Sequence, residues 1–439
     1  MKKLGYLFSA FAMVAFIACS SEDVVNTKDE ASLLTKQSIS FTPLSKGSTR
    51  SQVVNSIADI SSFRVVGLWK NGYTVADLSK TSGSDNFSKL YIKGENIAYS
   101  SLTAITAGTA YGNFGDNTPK GLEIVNNSGF NYKNSSDVQY WPFLATLDET
   151  TNKPTAYSCM PLDFRAITPA NTDVDLTTTT VVTGTYNTPA VADMVDICYA
   201  EALNKTNADA PVKLQFHHIF SQVLFRAKKS SNYQVDIKKV AIGGVSKSGS
   251  HTDMADFANP TTWGTTAVAN AGDIFNGYGS ASYFTVPEQA ESEKPAKLTP
   301  DGQELLLIPQ NITKWAHDGT TKATESKQGY IAITYRYKKT GDANWATASE
   351  TGADTDGFVT TYFPLEAKWK SGKKYTYSLL FGGATDPQKD PDPENPDPGT
   401  GDDNPGGYDD DGGVKAPSVA ITFSADVDTW TESDVDVKF

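Results

Sequence analysis

Residues 214–227 read LQFHHIFSQVLFRA. Large side chains recur at every second position here, the spacing of a pleated strand, and no 3.6-residue stripe can be drawn through them. Read as one strand, the stretch puts Phe216, Phe220 and Leu224 on a buried face with His218 and Gln222. Val223 and Phe225 then point the opposite way. The same two-residue period runs through SFRVVGLW at 62–69, YIAITYRY at 330–337, VTTYFPL at 359–365 and YTYSLLFG at 375–382. Asn-, Gly-, Ser-, Thr- and Pro-rich turns, such as 112–120 and 244–260, separate these runs. The fold expected is all-β, built from antiparallel sandwiches.

A chain of 439 residues holds more than one core. The polar break LNKTNADAP at 203–211 sets the expected boundary, with one sandwich over 51–211 and a second over 212–384. Residues 385–413, TDPQKDPDPENPDPGTGDDNPGGYDDDGG, break every pattern: repeated Asp-Pro opposes helix and ladder, and like charges repel. They read as an acidic, disordered, solvated linker. The last block, 414–439, is β-patterned but too short to bury a face alone. Its Val419, Ile421, Phe423, Ala425 and Val427 share one face, with Thr422, Ser424, Asp426 and Asp428 on the other.

The formal charge is −13, but the linker's ten acids and one lysine contribute −9 of it and leave about −4 for everything else. No basic stripe exists to neutralise phosphates, which argues against a nucleic-acid partner.

At the N-terminus, Lys2 and Lys3 precede an apolar run from Leu4 to Ala18, the length of a secretory signal. The run ends in FIACSSED, so residues 1–18 read as a signal peptide removed before a lipidated Cys19. Two acyl chains anchor stably where one binds reversibly. Glu22 and Asp23 just after that cysteine suggest export to the outer face of the outer membrane. The oxidising compartment leaves two readings of Cys159 and Cys198: a disulfide closing 39 residues, or two small apolar side chains.

Chemistry-bearing motifs are sparse. His217 and His218 are neighbours on a strand and point to opposite faces, so both cannot bind one metal; one packed and one solvated ring is the expectation. No nucleophile elbow, zinc-protease, phosphate-loop or dinucleotide fingerprint occurs, and no cofactor is implied. YDDDGG at 408–413 lacks the spaced acids of a calcium loop and reads as linker. Trp69, Trp141, Trp263, Trp315 and Trp345 could form a sugar platform, but core packing is the stronger reading.

The ordered set of motifs resembles the fimbrillin family, the Mfa-like and FimA-like subunits of type V pili. The matching stretches are the lipobox with Ser-Ser-Glu-Asp, QYWP at 139–142, PLDFRA at 161–166, DICYA at 196–200, LQFHHIFSQVLFRA, LLLIPQ at 305–310 and GKKYTYSLLFG at 372–382. The resemblance implies two transthyretin-like sandwiches and export as a lipoprotein. It also implies cleavage after an Arg by a trypsin-like or gingipain-like protease, then polymerisation with other fimbrial subunits by donor-strand exchange. Carried over, the cleavage candidates are Arg50, in the polar GSTRSQ, and Arg64, which lies inside an expected strand; Arg50 is preferred, so 19–50 is the propeptide. The acidic linker departs from the family pattern and leaves the last block as donor strand or separate appendage. Val419, Ile421, Phe423 and Val427 are its donor candidates. Ile39-Ser40-Phe41 before Arg50 and Ile421-Thr422-Phe423 in the tail share an Ile-x-Phe pair, so the two are expected as alternative occupants of one groove. The competing functions are a monomeric glycan-binding surface lipoprotein and, more remotely, a glycoside hydrolase whose two carboxylates are not identifiable.

Overall fold

The structure is a computed structural model that describes residues 38–44, 60–69, 122–127, 129–134, 141, 143–147, 154–159, 161–172, 176, 184–187, 193–251, 263–265, 273–276, 283–299, 304–350, 352–386, 407–412 and 419–429. These residues are strands, turns and short 3-10 segments such as Asn207–Asp209, with no α-helix among them. They pack around two main cores.

The first core lies on one face of a seven-stranded sheet. Its strands run, edge to edge, Phe41–Leu44, Val212–His218, Cys198–Lys205, Leu162–Thr168, Ser62–Trp69, Leu122–Asn126 and Phe130–Tyr132. Alternation decides which side chains enter: Phe63 and Val65, Phe164 and Ala166, Ala200 and Ala202, and Leu214 and Phe216 all share the buried face. On the opposite face Val66, Ile167 and Tyr199 pack against the second core. One sheet thus serves both cores.

The second core is a sandwich of two sheets. One orders Ala296–Lys297, Ser221–Lys229, Lys373–Phe381 and Ile421–Thr429, with Leu305–Leu307 also paired to Ser221–Lys229. The other orders Asp273–Asn276, Tyr233–Gly243, Tyr330–Lys339 and Val359–Pro364, with Phe284–Thr285 paired to Tyr233–Gly243. Aromatic rings bridge the layers, Tyr335 to Phe381 at 5.6 Å and Phe363 to Phe423 at 4.9 Å between centroids.

The stretch 214–227 is two strands in two different sheets, not one. Val212–His218 pairs with the leader strand Phe41–Leu44 and with Cys198–Lys205; Ser221–Lys229 pairs parallel to Lys373–Phe381. The chain crosses at Ile219–Phe220, so the boundary expected after residue 211 moves to this crossover. A serine hydroxyl and a glycine N–H pin it: Ser371 Oγ donates to the Ile219 carbonyl and the Gly372 N–H to the Phe220 carbonyl, both at 2.9 Å. The reason is length, because fourteen paired residues would extend about 46 Å, beyond the usual strand. The break also resets parity. Phe220 joins Val223 and Phe225 in the second core, whereas Phe216 stays in the first.

The linker departs from expectation as well. Residues 407–412 dock on the second sandwich instead of lying in solvent. Tyr408 is 5% exposed, sits 4.1 Å from the His317 ring and 6.1 Å from Trp315, and exchanges backbone hydrogen bonds with Tyr362. Asp410 accepts the Thr324 N–H and hydroxyl at 2.9 Å, and its carbonyl accepts the Ala323 N–H at 2.8 Å. Gly407 is required: its φ is +68°, and a Cβ there would meet Thr361 at 2.3 Å and Phe363 at 2.8 Å.

The split of 214–227 is testable. Phe216→Ala and Phe225→Ala should each cost about 3–5 kcal/mol in denaturant unfolding. Hydrogen exchange should then rise around Phe63–Val66 for the first variant and around Tyr330–Tyr337 for the second. The same exchange pattern from both variants would return the stretch to a single strand.

Candidate assembly site: the two terminal edge strands

The leader strand Phe41–Leu44 closes one edge of the seven-stranded sheet, running parallel to Val212–Gln215. Pro43 has no N–H to donate, which suits an edge position. Ile39 and Phe41 enter the first core. Phe41 meets Phe164, Phe63 and Tyr132 edge-on, at 5.3, 6.2 and 6.3 Å between centroids. The Val212 N–H donates to the Ser40 carbonyl at 2.8 Å. From the sheet's far edge, Tyr132 Oη donates to the Ile39 carbonyl at 3.0 Å. The leader therefore spans a gap between the two ends of a curled sheet, and without it that gap is a groove floored by aromatic rings.

The tail strand Ile421–Thr429 closes an edge of the second sandwich. It pairs antiparallel with Lys373–Phe381 in an unbroken register from Phe381↔Ile421 to Lys373↔Thr429. Val419, Ile421, Phe423 and Ala425 enter the second core, while Thr422 is exposed. Val427 pairs its backbone with Tyr375, and its side chain lies outside the described residues. Ser424 is buried against expectation; its hydroxyl donates to Asp386 at 2.8 Å, which ties the linker's start to the tail. Leader and tail thus occupy different cores in this structure, each as a terminal edge strand with an inward Ile-x-Phe pair.

The chain has five arginines. Arg50 and Cys19 lie outside the described residues, but Arg50 falls in the connector between Leu44 and Ser62, so a cut after it separates the leader from the rest. The other four sit on interior strands. Arg64 is 3% exposed and donates to the Ala170 and Thr172 carbonyls at 3.1 and 2.6 Å. Arg165 pairs with Glu201, Arg226 donates to the Pro295 carbonyl and Arg336 pairs with Asp236. Paired interior backbone is closed to a protease, whereas connectors are the usual sites of cutting.

Cys159 and Cys198 are separate thiols, so the disulfide reading is corrected. Cys159 is half-buried and accepts the Asn207 N–H at 3.3 Å, and burial pushes its thiol pKa up. Cys198 lies directly across from His218, with Asp196 two residues before it. His218 Nδ1 stands 2.8 Å from Asp196 Oδ2 and 3.4 Å from Cys198 Sγ, and the sulfur stands 3.7 Å from the same carboxylate oxygen. Sequence reasoning placed His218 on the buried side and His217 outside, as they are, but missed this cluster because the cross-strand register that builds it is not local. Of the tryptophans weighed as a sugar platform, Trp141, Trp263 and Trp315 are buried, the half-buried Trp345 stacks on Arg336, and the Trp69 side chain lies outside the described residues.

The profile of the fimbrillin-like family matches residues 99–391. No curated protein matches the chain. A crystal structure of a fimbrial protein from Bacteroides vulgatus is similar at 12% identity, covering 90% of this chain and 100% of that one with a TM-score of 0.47. A proposed cell adhesion protein from Bacteroides ovatus is similar at 14% identity, 90% and 100% coverage and a TM-score of 0.34. With more than half of its length matched by the family profile, the chain belongs to the fimbrillin-like family.

Proposed function

We propose that the chain is a structural subunit of a cell-surface fimbrium, exported as a lipoprotein through Cys19, cut after Arg50 and assembled by exchange of terminal edge strands. The observation that carries this reading is the matched pair of termini: Ile39 and Phe41 fill one core and Ile421 and Phe423 the other, both from edge strands. Family membership supports the fimbrial role.

In the uncut chain the leader is tethered to its groove, so its effective concentration there is high and no other strand competes. A trypsin-like or gingipain-like protease cutting after Arg50 converts the leader into a separate peptide, which dilution then removes. The vacated groove leaves the Val212 N–H and the faces of Phe63 and Phe164 without cover, and a neighbour's tail can fill it by β-augmentation. The tail must first leave its own sandwich. Burying its apolar face is worth roughly 6–12 kcal/mol gross in either place, so the two dockings nearly balance and the cut decides the direction. The docked segment 407–412 sets the reach. With Tyr408 in place the tail is joined to it through residues 413–418, a contour of about 20 Å. Once Tyr408 is released, the full linker pays out to a root-mean-square span of roughly 30 Å.

A glycan-binding role would call for exposed aromatic faces. Trp141, Trp263 and Trp315 are buried in the two cores and the Trp315 cluster, where they cannot serve.

Under this scheme surface protein from wild-type cells begins at Ser51 and runs as a high-molecular-weight ladder on a mildly denaturing gel. Arg50→Ala should leave the N-terminus at acylated Cys19 and abolish the ladder. A normal ladder from Arg50→Ala, or wild-type polymer that still begins at Cys19, contradicts the scheme.

A further inference from the structure

We infer that Asp196, Cys198 and His218 form a three-ligand site for a divalent cation of Zn²⁺ type, placed where the chain passes from the first core to the second. The site is made by register. Cys198 and His218 are directly opposed on antiparallel strands, and Asp196, two residues before Cys198, points to the same side. All three are buried, and their donor atoms lie within 4.8 Å of one another.

The distances favour a shared ion over pairwise chemistry. Three such ligands around a tetrahedral Zn²⁺ place nitrogen and sulfur about 3.5 Å apart, oxygen and sulfur about 3.5 Å, and nitrogen and oxygen about 3.3 Å. The structure has 3.4, 3.7 and 2.8 Å for these pairs, so only the nitrogen–oxygen pair has to open, by about half an ångström. A nucleophile–base–orienter relay does not fit. Such a relay uses both ring nitrogens of the histidine, whereas here the thiol and the carboxylate both face Nδ1.

Charge and chemistry agree with this reading. Binding releases the thiol proton, and any proton on Nδ1, to solvent, and the neutral imidazole keeps its hydrogen on Nε2. A thiolate, a carboxylate and a dication sum to zero, which suits a buried position. The thiolate selects a borderline-soft ion over calcium or magnesium, and the fourth position is left for water or a further protein atom.

The location gives the ion a task. Met194 and Ile219 belong to the second core, Cys198 to the first, and the Ile219 N–H donates to the Ile197 carbonyl at 3.1 Å. A metal here would brace the crossover and the Val212–His218 strand, which is also the wall that pairs with the leader.

Cobalt(II) titration of the metal-free full chain tests this. The expected result is one equivalent bound, with visible bands of a tetrahedral ion and a near-ultraviolet thiolate-to-cobalt band, both displaced by Zn²⁺, and a Tm raised by either metal. Cys19→Ala and Cys159→Ala should keep the signal; Cys198→Ser and His218→Gln should lose the thiolate band and the Tm shift. The wild-type titration decides even if the last two variants fail to fold. Absence of the thiolate band at one equivalent, or its loss in Cys159→Ala or Cys19→Ala, overturns the site and leaves a hydrogen-bonded triad only.

Discussion

An open sheet edge leaves backbone N–H and C=O groups unpaired and apolar side chains uncovered, and a stable protein has to close it. Here two of the three main sheets are closed on one edge by a segment close to one end of the chain. The leader strand covers the Val212–His218 edge and the tail strand covers the Lys373–Phe381 edge. Both are edge strands, so each is hydrogen-bonded to its sheet along one side only. Edge closure is thus a stabilising device, and under the proposed function it is also the element exchanged in assembly.

The rest of the structure keeps these two edges in a fixed relation. Interior strands carry Arg64, Arg165, Arg226 and Arg336, with Arg64 and Arg336 held by buried or half-buried partners. The crossover at Ile219–Phe220 is short, and the Ser371 hydroxyl and Gly372 N–H bond both of its carbonyls, which ties the groove wall to the second sandwich. Tyr408, packed against His317 and Trp315 and backbone-paired with Tyr362, anchors the acidic segment to the second sandwich between Asp386 and the tail.

Much of this was legible in the sequence. The two-residue period located the main strands, and the parity of Val419, Ile421 and Phe423 named the tail's buried face. The crossover was not legible because 214–227 is apolar on both sides of the break and alternation alone cannot show a change of sheet; its length was the available signal. The docked linker was hidden by composition. Asp-Pro repeats dominate the composition of 386–398, but Tyr408, the one aromatic residue in 385–413, marked a different segment. The Asp196–Cys198–His218 cluster needed cross-strand register, which no local pattern carries.

The exchange of the tail strand is tested most directly by locking it in place. Ser378 and Ser424 are opposed in the register between Lys373–Phe381 and the tail, so the pair Ser378→Cys and Ser424→Cys can staple the tail to its own subunit. Gel analysis of Arg50-cleaved protein should show monomers while that disulfide is oxidised and a polymer ladder once it is reduced. A full ladder with the disulfide intact would show that the tail never leaves its sandwich, and would contradict assembly by exchange of the tail strand.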